Sequence, residues 1–157
     1  MSEPRWLTDS ELLAWRSYIV ATLLLRQRLH RDLAETHDVS LIDYEVLVVL
    51  SAHPEGRMRM SELAGMLGST KSRLSHQVRR MEAGGLVRRV ADPEDKRGVV
   101  TELTAEGANL LRAAAPTHVE GVRANLIDLL SEEEQAVLTD VFSRVHRKLG
   151  GADWPAG

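Results

Sequence analysis

The heptapeptide "DPEDKRG" at residues 92–98 lies between two runs rich in β-branched residues, "GLVRRVA" and "VVTELT". Residues 86–91 and 99–103 are the only convincing strand signals in the chain, and everything around them reads as helix. This restricts the fold to a mostly α protein with one small β-hairpin. The tip has more chemistry than a turn requires, since most two-residue hairpins close with Asn-Gly. Pro93 stiffens it, Lys96 and Arg97 bring two cations, and Asp92 and Asp95 stand within reach to orient them.

Caps mark the helices. Thr8, with Glu11 three residues later, opens a first helix through Leu12, Trp15, Ile19, Leu23 and Leu29 to about Leu33. Val20, Leu24 and Leu25 widen its apolar stripe beyond the needs of one core contact, so a second covered surface is expected, most simply a partner subunit. Ser40 with Asp43 caps a second helix through Leu47 and Leu50 that stops before Pro54, and "HPEGR" reads as a loop. A short third helix, "SELAGMLG", has Gly68 as its stop. Ser69 is the expected N-cap of a fourth, "TKSRLSHQVRRMEA", in which Leu74, Val78 and Met81 face inward. Gly84 and Gly85 end it, one of them in the left-handed conformation.

Beyond the hairpin, Thr104 caps a long helix to about Leu129, with a kink expected at Pro116. Ser131 with Glu134 caps the last helix, which ends near Leu149 ahead of a loose tail, "GGADWPAG". Two helices about a tight turn followed by a β-hairpin make a winged helix-turn-helix. At 157 residues one domain is expected over residues 1–157. Within it, residues 40–104 are expected to form the winged helix-turn-helix lobe, and residues 9–35 and 105–149 a helical dimerisation region.

The net charge of −3 conceals a strong asymmetry. Residues 57–97 carry ten Lys/Arg against five acids, a local +5, while the remainder carries −8. A basic middle inside an acidic frame has the form of a localised footprint for a polyanion. Other chemistries find little support. The chain has no cysteine, which excludes disulfides, zinc–thiolate sites and thiol redox sensing. His30, His37, His53, His76, His118 and His146 show no ligand-pair spacing, so no metal or cofactor is expected. Ser72 and His76 could meet as nucleophile and base, but no orienting carboxylate or oxyanion site accompanies them, and no catalytic residue is assigned. The first residues, "MSEPRWLTDSELLAW", lack the apolar core of a signal peptide, and no run approaches the ~18 apolar residues of a membrane span. A cytoplasmic protein without a membrane partner is expected.

With Leu74, Val78 and Met81 turned inward, the fourth helix is predicted to present Thr70, Lys71, Arg73, His76 and Gln77, with Ser69, Ser72 and Ser75 at the edge. These donors suit guanine O6 and N7 or adenine N7, and Gln77 could read adenine bidentately. The helix N-terminus itself favours a phosphate. Arg79 and Arg80 lie where backbone contact is expected. At the hairpin tip, beside Lys96, Asp95 is expected to hold the guanidinium of Arg97 extended for an A·T-rich minor groove. Trp15, Tyr18 and Tyr44 are expected to gather beneath the first two helices, either as plain core or as the lining of a site for a small aromatic or acidic effector.

Residues 60–107, "MSELAGMLGSTKSRLSHQVRRMEAGGLVRRVADPEDKRGVVTELTAEG", resemble the MarR family of bacterial transcriptional regulators. The likeness rests on the Gly-Leu-Val-Arg-Arg exit from the helix, on "DPEDKR" matching the family's DxxDxR at Asp92, Asp95 and Arg97, and on "LTAEG" opening the next helix. The resemblance implies a homodimer with interlocked N- and C-terminal helices and two winged lobes astride a pseudo-palindromic operator. It implies further that the helix over residues 69–83 enters the major groove and the wing the minor groove, and that small acidic or phenolic ligands bind between lobe and dimer core. The chain lacks the cysteine of the peroxide-sensing branch and the histidine and acid clusters of the zinc-responsive branch. The function so implied is sequence-specific transcriptional regulation on double-stranded DNA, by family precedent as a repressor, and not enzymatic. Two other readings fit the same residues: a winged-helix assembly module and a nonspecific architectural DNA binder. Salt dependence of duplex affinity separates the first, and competition with unrelated DNA the second.

Overall fold

The computed structural model describes residues 3–151, so the expected tail beyond Gly151 lies outside the described residues. The elements run α1 (Asp9–His37), α2 (Leu41–Ala52), β1 (Arg57–Arg59), α3 (Met60–Met66), α4 (Lys71–Ala83), β2 (Val87–Ala91), β3 (Val99–Leu103), α5 (Ala105–Asn125) and α6 (Glu132–Lys148). A 3-10 turn, Ile127–Leu129, separates the last two helices.

Local chemistry places most helix starts. Thr8, Ser40, Thr104 and Ser131 each accept the backbone N–H three residues on, at Glu11, Asp43, Gly107 and Glu134. At α4 the cap is Thr70 rather than Ser69, with Oγ1 3.2 Å from the Arg73 N–H. The two hydroxyls are equivalent by type, and the turn selects between them: the Ser69 N–H is drawn back to the Ala64 carbonyl at 2.9 Å. Gly85, at φ +77°, rather than Gly84 takes the left-handed position after α4, which the missing Cβ permits. α1 continues past Leu33 to His37, and α5 runs unbroken through Pro116 but stops at Asn125.

The loop expected at "HPEGR" gives way at Arg57 to a third strand. β1 pairs antiparallel with β3 (Arg57↔Glu102, Met58↔Thr101, Arg59↔Val100), and β2 pairs with the other edge of β3 from Val87↔Leu103 to Ala91↔Val99. The sheet order is therefore β1-β3-β2. Three residues are too few to display an alternation, and only β3 makes them a strand.

Two buried clusters support this arrangement. In the lobe, Val46, Leu47, Val49 and Leu50 of α2 pack with Met58, Met60, Leu63, Ala64, Leu74, Val78, Met81 and Val87. The second cluster joins Leu29 and Leu33 of α1 to Val39, Leu41, Tyr44 and Ala114. Leu110 and Leu111 of α5 pack against both, so the lobe stands on a core continuous with the long helices. The protein is thus mostly helical with a small antiparallel sheet, a winged helix-turn-helix carried on long N- and C-terminal helices.

Candidate nucleic-acid interface

α4 is amphipathic, and its buried side is Leu74, Gln77, Val78 and Met81. Those positions follow i, i+3, i+4 and i+7, the stripe of a helix packed on a core. Gln77 therefore corrects the sequence expectation. It is 6% exposed, with Nε2 donating to Asp43 Oδ1 of α2 at 3.3 Å, and cannot reach a base edge from behind the helix. The outer face carries Thr70, Lys71, Ser72, Arg73, His76, Arg79 and Arg80, all exposed, with Ser69 and Ser75 half-buried at its margin.

The wing tip is built by its acids. Asp92 Oδ1 accepts the Glu94 N–H at 2.9 Å, and Oδ2 accepts Nε of Arg59 at 2.5 Å. These contacts hold the Asp92 carboxyl below the ordinary aspartate value, the Glu94 N–H first and the Arg59 hydrogen bond second. Asp95 behaves differently from expectation. Its Oδ1 accepts the backbone N–H of Arg97 at 3.0 Å, so it shapes the turn rather than gripping the guanidinium. A carboxylate two residues before an amide closes this Asx-type contact more readily than it follows a long side chain outward.

Elsewhere on the wing, cations are neutralised. Arg88 pairs with Glu102 at 2.6 Å, and Arg89 pairs with Glu82 at 2.7 Å, tying β2 to the end of α4. Among the described residues, Lys71, Arg73, Arg79, Arg80, Lys96 and Arg97 have no carboxylate partner. A cleft of about 390 Å³ between α4 and the wing brings Lys71 and Ser75 together with Arg59, Arg89 and Arg97. Asp92 and Asp95 line it too, and Arg59 and Arg89 are paired with acids, so the free cations facing the cleft are Lys71 and Arg97, an arrangement behind a helix N-terminus that suits a polyanion. Arg59 and Arg89 count in the basic segment of the sequence but are not singled out there as site residues, since nothing local places either side chain in this cleft.

Comparison with known proteins places the chain in a family. A sequence model of the MarR family matches residues 37–98. The transcriptional regulator HosA of Escherichia coli O111:H- is 35% identical over 129 residues, covering 82% of this chain and 90% of HosA. The chain belongs to the MarR family. Sco3205, a MarR family transcriptional regulator from Streptomyces coelicolor solved in complex with DNA, matches at a TM-score of 0.89 and 44% identity, covering 99% of this chain and 98% of that one. AbsC, a MarR family transcriptional regulator from the same organism, matches at 0.87 and 42% identity, covering 95% and 100%. As a MarR protein the chain is a DNA-binding transcriptional regulator and not an enzyme. Among the described residues, no helix is long and apolar enough to cross a membrane, and no three His, Cys, Asp or Glu side chains gather as metal ligands.

In this MarR chain the three aromatics expected together are divided. Trp15 and Tyr18 have ring centroids 6.1 Å apart, and Tyr18 lies 5.0 Å from Phe142 of α6. Tyr44 is buried in the other cluster, 4.6 Å from the ring of His118. Tyr44 shares that cluster with Leu29 and Leu33, and neither Tyr44 nor Trp15 lines the groove that Tyr18 borders. Tyr18 instead lines an apolar groove of about 530 Å³ with Ala21, Thr22, Leu25, Asn125 and Phe142. His118 Nδ1 is buried without a hydrogen-bond partner among the described residues. Burial pushes its imidazole below the ordinary histidine value, against a smaller opposing pull from Glu45.

Proposed function

We propose that this protein is a sequence-specific repressor acting as a homodimer on a pseudo-palindromic operator and released by a small aromatic or acidic effector. Residues 9–35 and 105–149 join the copies, and residues 40–104 form each DNA-binding lobe. The observation that carries the reading is the cleft in which α4 and the wing tip set unpaired cations on one face. From there Thr70, Lys71, Ser72, Arg73 and His76 address the major groove, Arg79 and Arg80 the backbone, and Lys96 and Arg97 the adjacent minor groove.

Pairing is supported by apolar side chains that one copy leaves wet. Leu13, Leu23 and Leu24 of α1 and Val137 and Val145 of α6 are all exposed. Covering such surface gains about 25 cal/mol per Å². The groove beside Tyr18 and Phe142, with Thr22 and Asn125 as polar anchors, is the concave site open to an effector.

Selection of bound duplexes from a random pool tests the reading. It should return an inverted repeat with half-site centres about 10 bp apart, bound with steep salt dependence. Unsymmetric single half-sites would overturn the dimeric geometry, and absence of any enriched sequence would overturn specific recognition.

A further inference from the structure

Arg59 is the last residue of β1 and the N-cap position of α3, so it joins the wing sheet to the helix-turn-helix. Its backbone N–H faces Glu62 Oε2 in the first turn of α3 at 3.4 Å. Its guanidinium crosses to the wing tip, where Nε meets Asp92 Oδ2 at 2.5 Å and Nη2 meets Glu94 Oε2 at 2.9 Å. Among the described residues, no other side chain outside residues 92–98 bonds to a side chain of that tip.

The anchor point is itself enclosed. The Asp92 side chain is 3% exposed, and a carboxylate so placed is costly unless its oxygens are satisfied. The Asp92 N–H donates to the Gly98 carbonyl at 3.0 Å, closing the tip behind it. A Cβ at residue 98 would stand 3.1 Å from Asp92 Cβ and 3.2 Å from Oδ2, so glycine leaves the room that the carboxylate occupies. Spanning two acids with two nitrogens uses the planar fork of a guanidinium, which an ammonium does not reproduce.

We propose that Arg59 is a positioning residue for operator binding, a strut that sets the wing tip relative to α4 so that the major and minor grooves are read in one register. The inference rests on the DNA-contact reading above and adds a residue outside the recognition helix and the wing. The exposed Arg59–Glu94 pair contributes little to folding. Its value here is geometric: β1 is short, the tip is charged, and without Arg59 the tip hangs from its own turn. Arg59 also lines the cleft with Lys71 and Arg97, but its charge already faces Asp92 and Glu94, which makes it a weak independent partner for a phosphate.

Operator titration of the wild-type protein, Arg59→Lys, Asp92→Asn and the double variant decides the matter, with melting temperatures recorded beside each. Arg59→Lys keeps the charge on a side chain that is 44% exposed, so the fold is retained. The strut predicts a loss of about tenfold in each single variant and no further loss in the double variant, the pattern of coupled partners. Asp92→Asn should bind more weakly although it removes a negative charge near DNA. Replacing A·T by G·C pairs under the wing should then cost the wild type affinity and cost Arg59→Lys little. Equal or tighter binding by Asp92→Asn overturns the strut, and so does normal binding by Arg59→Lys, which would leave Arg59 as a simple cation. Failure of the underlying DNA-contact reading shows elsewhere, as Arg97→Ala binding the operator like wild type.

Discussion

α2 buries six of its twelve residues, whereas α6, with seventeen, buries none and α1, with twenty-nine, buries only Leu29 and Leu33. The lobe completes its core within one chain, from Val46 in α2 to Val87 in β2. The long helices carry comparable apolar chemistry but leave Trp15, Tyr18, Val20, Leu23, Leu24 and Val145 exposed. The proposed DNA-reading surface therefore stands on an internal scaffold, while the proposed pairing surface draws its free energy from a second copy. Stability of the lobe is then a property of the sequence alone, and stability of the assembly depends on concentration as well.

The sharpest way to break this contrast is to damage each region in turn. Leu47 is fully buried at the centre of the lobe, so Leu47→Ala should cost ~2–5 kcal/mol in urea unfolding. A cost near zero would mean that Leu47 does not hold the lobe's core together. In the arms, Leu24 is 60% exposed, so Leu24→Glu should leave the lobe's fold intact and weaken self-association at least about tenfold, ~1.4 kcal/mol. Sedimentation at micromolar protein reads this directly; an unchanged dimer, or a wild type that is already monomeric, would place the pairing surface elsewhere or nowhere.

The smallest effect concerns the seam between the regions, where His118 of α5 faces Tyr44 of α2. Because burial lowers its imidazole value, the unfolded chain binds the proton at higher pH than the folded one. The contribution is complete above about pH 6.5, the ordinary histidine value, and is lost as pH falls below it toward the folded value. His118→Phe keeps a ring against Tyr44 and should flatten that part of the stability curve. Unfolding midpoints compared at pH 7.5 and 5.5 check it, and an equal slope in the variant would assign the dependence to other groups.

What the sequence determined by itself were the features whose partners lie three or four residues away. The hydroxyl caps at Thr8, Ser40, Thr104 and Ser131 and the inward stripe of Leu74, Val78 and Met81 depend on such short-range geometry, and the wing strands announced themselves by their β-branched runs either side of a turn. Gln77 was within the same reach, since its spacing from Leu74 and Met81 places it on the buried stripe; its polar character pointed the other way. Only packing supplied the carboxylate of Asp43, 34 residues earlier, that makes burial of the amide tolerable. The remaining decisions were likewise made by contacts no local pattern encodes. β3 turned part of a loop into β1, Arg59 met Asp92 across 33 residues, and the length of α1 sent Tyr18 and Tyr44 to different sites. A cap or a stripe is written within one or two helical turns, but which side chains meet across tens of residues follows from how whole helices and strands pack, and there the tertiary structure alone decides.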